Sequence, residues 1–211
     1  MNFKVTFKEE TPPFNVKFGW NNGEFEAGKA EGAKSEYDRF WDVYQENGNK
    51  ISYRFAFYGS SWNDTTFHPK YPIKMYKGQQ QQLAFYYFRG THIDVDIDFR
   101  AVGYSQIFQS ASLLKTISKL IVTDEVTYTS WFAGCTALED ITIEGTIGND
   151  ISFSDCALLT KTSIESIIGA LSGTVTGKTL TVNAAAKQVA FTDSEWAELI
   201  GTKPNWTFSL A

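Results

Sequence analysis

Residues 2–8 set apolar Phe3, Val5 and Phe7 against polar Asn2, Lys4, Thr6 and Lys8. That two-residue period is the mark of a half-buried strand. Beyond Pro12-Pro13 a second alternating run covers Asn15 to Trp20, with Phe14, Val16 and Phe18 on one face. The two runs predict a two-stranded arm. A lone hairpin is marginal in water, so the arm must pack on the body or on another protein. Asn21 to Gly32, with Gly23, Gly28 and Gly32, reads as a linker. The period then lengthens: Tyr37, Phe40, Trp41 and Tyr44 follow i, i+3, i+4, i+7 within Lys34–Asn47, and Gly48 stands as a stop. This predicts one amphipathic helix whose aromatic stripe is core. Ile51, Tyr53, Phe55 and Phe57 alternate as a strand, and Gly59–Pro72 is loop-like.

From Leu83 onward a phrase repeats. It reads Phe108-Gln-Ser-Ala-Ser-Leu-Leu114, Phe132-Ala-Gly-Cys-Thr-Ala-Leu138 and Phe153-Ser-Asp-Cys-Ala-Leu-Leu159, with a weaker copy in Phe88-Arg-Gly-Thr-His-Ile93. The phenylalanines Phe88, Phe108, Phe132 and Phe153 are 20, 24 and 21 residues apart. A period of roughly 20–29 residues with leucines at fixed offsets is the signature of a leucine-rich-repeat solenoid. Each unit contributes a short strand and a turn that cannot bury its apolar side alone, so stacked units share one core. The predicted repeat core is Phe88, Phe108, Phe132, Cys135, Leu138, Phe153, Cys156 and Leu159. In Ile93–Phe99 the apolar set faces in and Asp94, Asp96 and Asp98 face out; in Leu138–Glu144 the spacing leaves Thr142 and Glu144 outside. Leu114-Lys-Thr-Ile117 followed by Leu120-Ile-Val122 is a looser copy.

The remainder reads as a cap. Thr162-Ser-Ile-Glu165 is a capping box before a helix with Ile164, Ile167, Ile168 and Leu171 on its apolar face. Lys178–Val182 is a strand. Thr192-Asp-Ser-Glu195 is a second capping box, opening a helix with Trp196, Leu199 and Ile200 that stops at Gly201. Trp206, Phe208 and Leu210 alternate into a final strand.

A chain of 211 residues is long enough to bury a core without disulfides or metals. Seventeen Phe, 10 Tyr and 6 Trp supply that core. The net charge is −5 and no basic cluster or Arg-rich stripe occurs, which leaves little phosphate affinity and argues against nucleic acid as a partner. The charged, alternating N-terminus lacks the apolar stretch of a secretory signal. No apolar run approaches the ~20 residues of a membrane helix, so no membrane insertion is expected.

Candidate chemistry is sparse. Asp94, Asp96 and Asp98 could gather calcium, which takes 6–8 oxygen ligands, but alternating acids on an outer strand face also simply keep it soluble. The chain's 2 histidines, His68 and His92, sit in no HExxH or GxSxG context. Gly177-Lys-Thr179 lacks the upstream glycine of a phosphate loop and reads as a turn before a strand. Nothing singles out a carboxylate pair for glycoside hydrolysis. Cys135 and Cys156 fall at equivalent phrase positions and read as small buried wall residues. Neighbouring copies would bring them near disulfide distance, which a reducing compartment disfavours. No catalytic residue, metal or cofactor is assigned.

The F-x-x-C-x-x-L phrase at Phe132–Leu138 and Phe153–Leu159 resembles that of BspA-type leucine-rich repeats. Glu36-Tyr-Asp-Arg-Phe-Trp-Asp-Val-Tyr-Gln-Glu-Asn-Gly48, Leu159–Leu171 and Lys203-Pro-Asn-Trp-Thr207 resemble segments of small repeat proteins encoded by phages and prophages of intestinal bacteria. The resemblance implies protein or glycan binding at a cell surface or virion tip, with no catalytic residues to carry over.

The expectation is an α+β chain: a short leucine-rich-repeat solenoid with a helix/strand C-terminal cap, preceded by an N-terminal β arm and one amphipathic helix. Its divisions are an arm and linker over 1–32, a helix, strand and loop segment over 33–82, and the repeat domain with its cap over 83–211. The expected function is that of a non-enzymatic phage virion protein, tail-associated or on the particle surface, assembled in the host cytoplasm. Phe3, Val5, Phe7, Val16 and Phe18 would dock to other virion proteins. Asp94, Asp96, Asp98, Thr142 and Glu144 would be displayed, with a host-surface protein or glycan as a further partner. Self-association into a homo-oligomer is compatible with such a part. The alternative is a bacterial cell-surface or secreted leucine-rich-repeat adhesin.

Overall fold

Four phenylalanine rings stand in a file through the interior. Phe85 stacks on Phe108 (centroids 5.4 Å), Phe108 on Phe132 (5.7 Å) and Phe132 on Phe153 (4.4 Å), with the planes within 22° of parallel at each step. All four are fully or almost fully buried. Burying such a side chain contributes about 1.5–3 kcal/mol before ring pairing is counted. The computed structural model describes residues 66–67, 73–74, 83–99 and 106–211. The arm with Phe3, Val5, Phe7, Val16 and Phe18, the linker, the Lys34–Asn47 helix and the Ile51–Phe57 strand lie outside the described residues.

The file corrects the frame of the first copy. Phe85, not Phe88, opens it, so the phenylalanines run at intervals of 23, 24 and 21. The turn hydrogen bonds give the same frame: Phe88 N donates to Phe85 O as Ala111 N does to Phe108 O, Cys135 N to Phe132 O and Cys156 N to Phe153 O. Phe88 therefore stands where the later copies carry Ala111, Cys135 and Cys156. A ring fits there because it meets Phe85 edge-on at 5.5 Å.

Neighbouring copies are tied by backbone ladders. Phe85 N donates to Ile107 O, Phe108 N to Trp131 O and Ser110 N to Ala133 O. The first three turns use left-handed backbone: Leu83, Gln106 and Ser130 two residues before the phenylalanine, and Tyr87, Ser110 and Gly134 two after, all have positive φ. Only Gly134 is a glycine, and a Cβ there would come within 3.2 Å of the Ser110 Cα.

The fourth phrase leads into a helix, and each of the first three into a strand of a parallel sheet. Strands β1 (Thr66–Phe67), β2 (Ile73–Lys74), β3 (His92–Asp98), β4 (Thr116–Val122) and β5 (Asp140–Gly145) form it, in the order β1-β3-β4-β5 with β2 also on β3. Strand β1 falls inside the stretch expected to be loop; two residues are too few to leave a period in the sequence. Ile93, Ile97, Ile117, Leu120, Val122 and Ile141 point into the core. A second parallel sheet comprises β6 (Ile151–Phe153), β7 (Lys178–Val182) and β8 (Trp206–Leu210), in that order. The arrangement is a mixed α/β one with parallel sheets and no closed barrel among the described residues.

Helix α1 (Lys161–Gly169) buries Ile164, Ile167 and Ile168 as expected. Its N-cap, however, is Thr160 and not Thr162. The ladder decides this: Thr160 N donates to Glu139 O at 2.9 Å and its hydroxyl to Asp140 Oδ1 at 2.8 Å, so the helix must start from that point. The helix then closes the edge of β5. Ile141 N donates to the Ser163 hydroxyl (3.0 Å) and Ile143 N to the Ser166 hydroxyl (2.9 Å), so edge amides are satisfied by side chains where, among the described residues, no further strand pairs.

Helix α2 (Ala184–Ala190) was not legible as a period; Asn183 caps it, accepting from Ala185 N at 2.9 Å. Helix α3 (Asp193–Gly201) has the expected capping box, with Glu195 N donating to the Thr192 hydroxyl and Thr192 N to Glu195 Oε2. The Lys203-Pro-Asn-Trp206 segment clamps the loop after α1. Lys203 Nζ donates to Gly169 O (3.0 Å), Asn205 Nδ2 to Ser172 O (2.9 Å) and Trp206 Nε1 to the same carbonyl (2.8 Å).

Candidate interaction surface

Parallel pairing of β3, β4 and β5 sets their outward side chains in rows. Ile93 pairs with Ile117 and Ile117 with Ile141, but the register then slips at a bulge in each pair. Between successive buried residues lie two positions in β4 (Ile117 to Leu120) and one in β5 (Ile141 to Ile143, itself partly buried). A bulge inserts one unpaired residue and re-aims its neighbours. Here it brings Lys119 opposite Asp96.

Lys119 thereby bridges both neighbouring strands, with its ammonium 3.3 Å from Asp96 Oδ2 and 3.1 Å from Glu144 Oε2. Hydrogen bonds to Glu144 and then Asp96 hold its pKa above the ordinary lysine value. Asp94 accepts from the Ser118 hydroxyl at 3.0 Å. The expected display residues Asp94, Asp96, Asp98, Thr142 and Glu144 thus lie on β3 and β5, with β4 between them. Sequence reading missed Ser118 and Lys119, because the bulge breaks strict alternation in β4.

Asp94 is engaged by a hydroxyl, and Asp96 and Glu144 by the Lys119 ammonium. Among the described residues no group of three or more His, Cys, Asp or Glu could hold a metal ion. Of the histidines, His92 shares a 2.7 Å hydrogen bond with the Thr91 hydroxyl, and His68 lies outside the described residues.

Leu113, Ala137 and Leu158 each follow a stacked phenylalanine by five residues, and Leu113 (41%) and Leu158 (53%) are exposed. Cys135 and Cys156 are both free and fully buried. Cys135 Sγ donates to Phe108 O at 3.1 Å and Cys156 Sγ to Phe132 O at 3.8 Å. Burial pushes the Cys135 thiol up to about 12 and the Cys156 thiol also upward. Neither is an activated nucleophile, which would require a lowered pKa. No family model, curated protein or solved structure matches the chain.

Proposed function

We propose that the chain is a non-enzymatic display module of a phage particle, tail-associated or otherwise on the virion surface, built as a short leucine-rich-repeat solenoid of the BspA type. Its outward face on β3–β5 would meet a host-surface protein or glycan. Phe3, Val5, Phe7, Val16 and Phe18 would dock it to other virion proteins. What carries the reading is the file of Phe85, Phe108, Phe132 and Phe153 with a parallel strand after each of the first three. Repetition of that kind spends its buried residues on holding copies side by side, and its exposed ones become a broad surface. The Lys119 bridge supports the same reading, because it fixes charged groups of three strands in one place. The phage assignment draws on the resemblance of Glu36–Gly48 and of the segments from Leu159 onward.

The test is quantitative mass spectrometry of gradient-purified particles made in cells expressing the chain. The expected result is co-purification with tail proteins, lost on deletion of residues 1–20 while the remaining chain stays folded. Recovery in the cell envelope alone, with none on particles, would overturn the proposal and favour an adhesin. Charge reversal of the face (D96K with E144K) is expected to abolish binding of the purified chain to host cells.

A further inference from the structure

We propose that β8 is a self-association edge, through which two copies of the chain join antiparallel into one sheet running through both. The backbone shows which groups are on offer. Ala211 N donates to Val182 O and Ala184 N to Ala211 O, so odd-numbered residues of this strand turn their amides and carbonyls toward β7. Alternation then turns the amides of Phe208 and Leu210, and the carbonyl of Trp206, to the other side, where no strand pairs with β8 among the described residues. The Trp206 amide is taken by Lys203 O.

This edge differs from that of β5, where α1 hydroxyls occupy the amides. From Asn205 to Ala211 there is no charged side chain, no proline and no glycine, and β8 pairs with β7 without a register shift. Charged side chains, prolines and bulges are what commonly blunt an exposed edge, and this strand carries none of them. The strand is also pinned to its last residue by the Ala184–Ala211 bond.

The occupant is argued from the pattern of the strand itself. A two-fold axis at Phe208 pairs Phe208 with its own copy, Trp206 with Leu210, and Thr207 with Ser209. Phe208 amides and carbonyls would bond reciprocally, and each Leu210 amide would meet a Trp206 carbonyl. All apolar side chains of both strands then share one face and all hydroxyls the other, so the strand complements itself, as an isologous interface requires. Leu210, 47% exposed in the single copy, gains cover from the added strand. A contact built on one short strand lies at the small end of specific interfaces, so the dimer dissociates on dilution.

Sedimentation of the full chain across the micromolar range tests this, beside two variants at the exposed positions 207 and 209. In T207K/S209K each lysine faces a lysine across the pair, and association is expected to fall about tenfold. In T207K/S209E each lysine faces a glutamate, and association is expected to return. Hydrogen exchange on the unmodified chain gives a readout that needs no variant: the Phe208 and Leu210 amides should slow as concentration rises. A wild-type chain that stays monomeric throughout overturns the proposal. So does a dimer that both variants form equally, or exchange at these amides that ignores concentration.

Discussion

Phe132 is the ring on which the stacking argument can be measured. It lies between Phe108 (5.7 Å, planes 9° apart) and Phe153 (4.4 Å, 20°), with Trp131 at 6.3 Å on its flank. Phe132→Leu keeps most of the apolar burial but removes both stacked pairs, each worth about 0.5–1.5 kcal/mol beyond area. It also leaves a misfit in a close-packed interior, so the expected loss is about 2–4 kcal/mol. Against a total of roughly 5–15 kcal/mol for a typical domain, that is a large share.

The sharper quantity is the coupling. In a double-mutant cycle of Phe108→Leu and Phe132→Leu, the interaction energy should be about 0.5–1.5 kcal/mol. Phe108→Leu with Trp196→Leu should be additive to within about 0.5 kcal/mol, because Trp196 meets Phe191 at a tilt and Phe208 edge-on, away from the phenylalanine file. Urea unfolding of the full chain, followed by circular dichroism and tryptophan fluorescence, supplies both numbers. A Phe108–Phe132 coupling indistinguishable from zero would refute the claim that ring stacking holds neighbouring copies in register.

Gly145→Ala should be among the most damaging small substitutions, costing roughly 3–5 kcal/mol in the same unfolding assay, since φ is +100° and the new Cβ would lie 2.0 Å from Val122 O. Gly177→Ala, at φ +68° with open space around it, should cost only about 1 kcal/mol, and equal losses would sink the steric argument. Glu195 is held down at about 2, chiefly by the hydrogen bond from Lys161 and then by the Thr192 amide and hydroxyl. Its unfolded value is about 4.3, so its contribution is full above that pH and is lost as pH falls through about 2. E195Q should therefore lower stability most at neutral pH, flatten the acid side of the profile across that window, and converge with the unmodified chain below about pH 2. Cys135 and Cys156 should resist alkylation at neutral pH in the folded chain and react promptly in denaturant; rapid labelling of the native protein would contradict their burial.

Several parts of this protein were readable from the chain alone. The phenylalanine phrase, the inward Ile141 and Leu138, the buried cysteines, the Thr192–Glu195 capping box and the β8 alternation are all dictated by residues close in sequence. Their period or cap chemistry is complete within a few positions. Other features depend on what lies one copy away. Phe85 displaced Phe88 as the opening ring because only stacking on Phe108 reveals the frame. Thr160 displaced Thr162 as N-cap because Glu139 and Asp140 hold it from the adjacent strand. Ser110 and Ser130 adopt left-handed backbone without the glycine that would have advertised it. Lys119 reached Asp96 through a bulge that no alternation predicts. Local pattern determined which side of each segment is buried, because burial is decided residue by residue along one strand or helix. Register, edge protection and the charged face were decided only by the tertiary structure, since they arise from hydrogen bonds and contacts between segments some 20–30 residues apart.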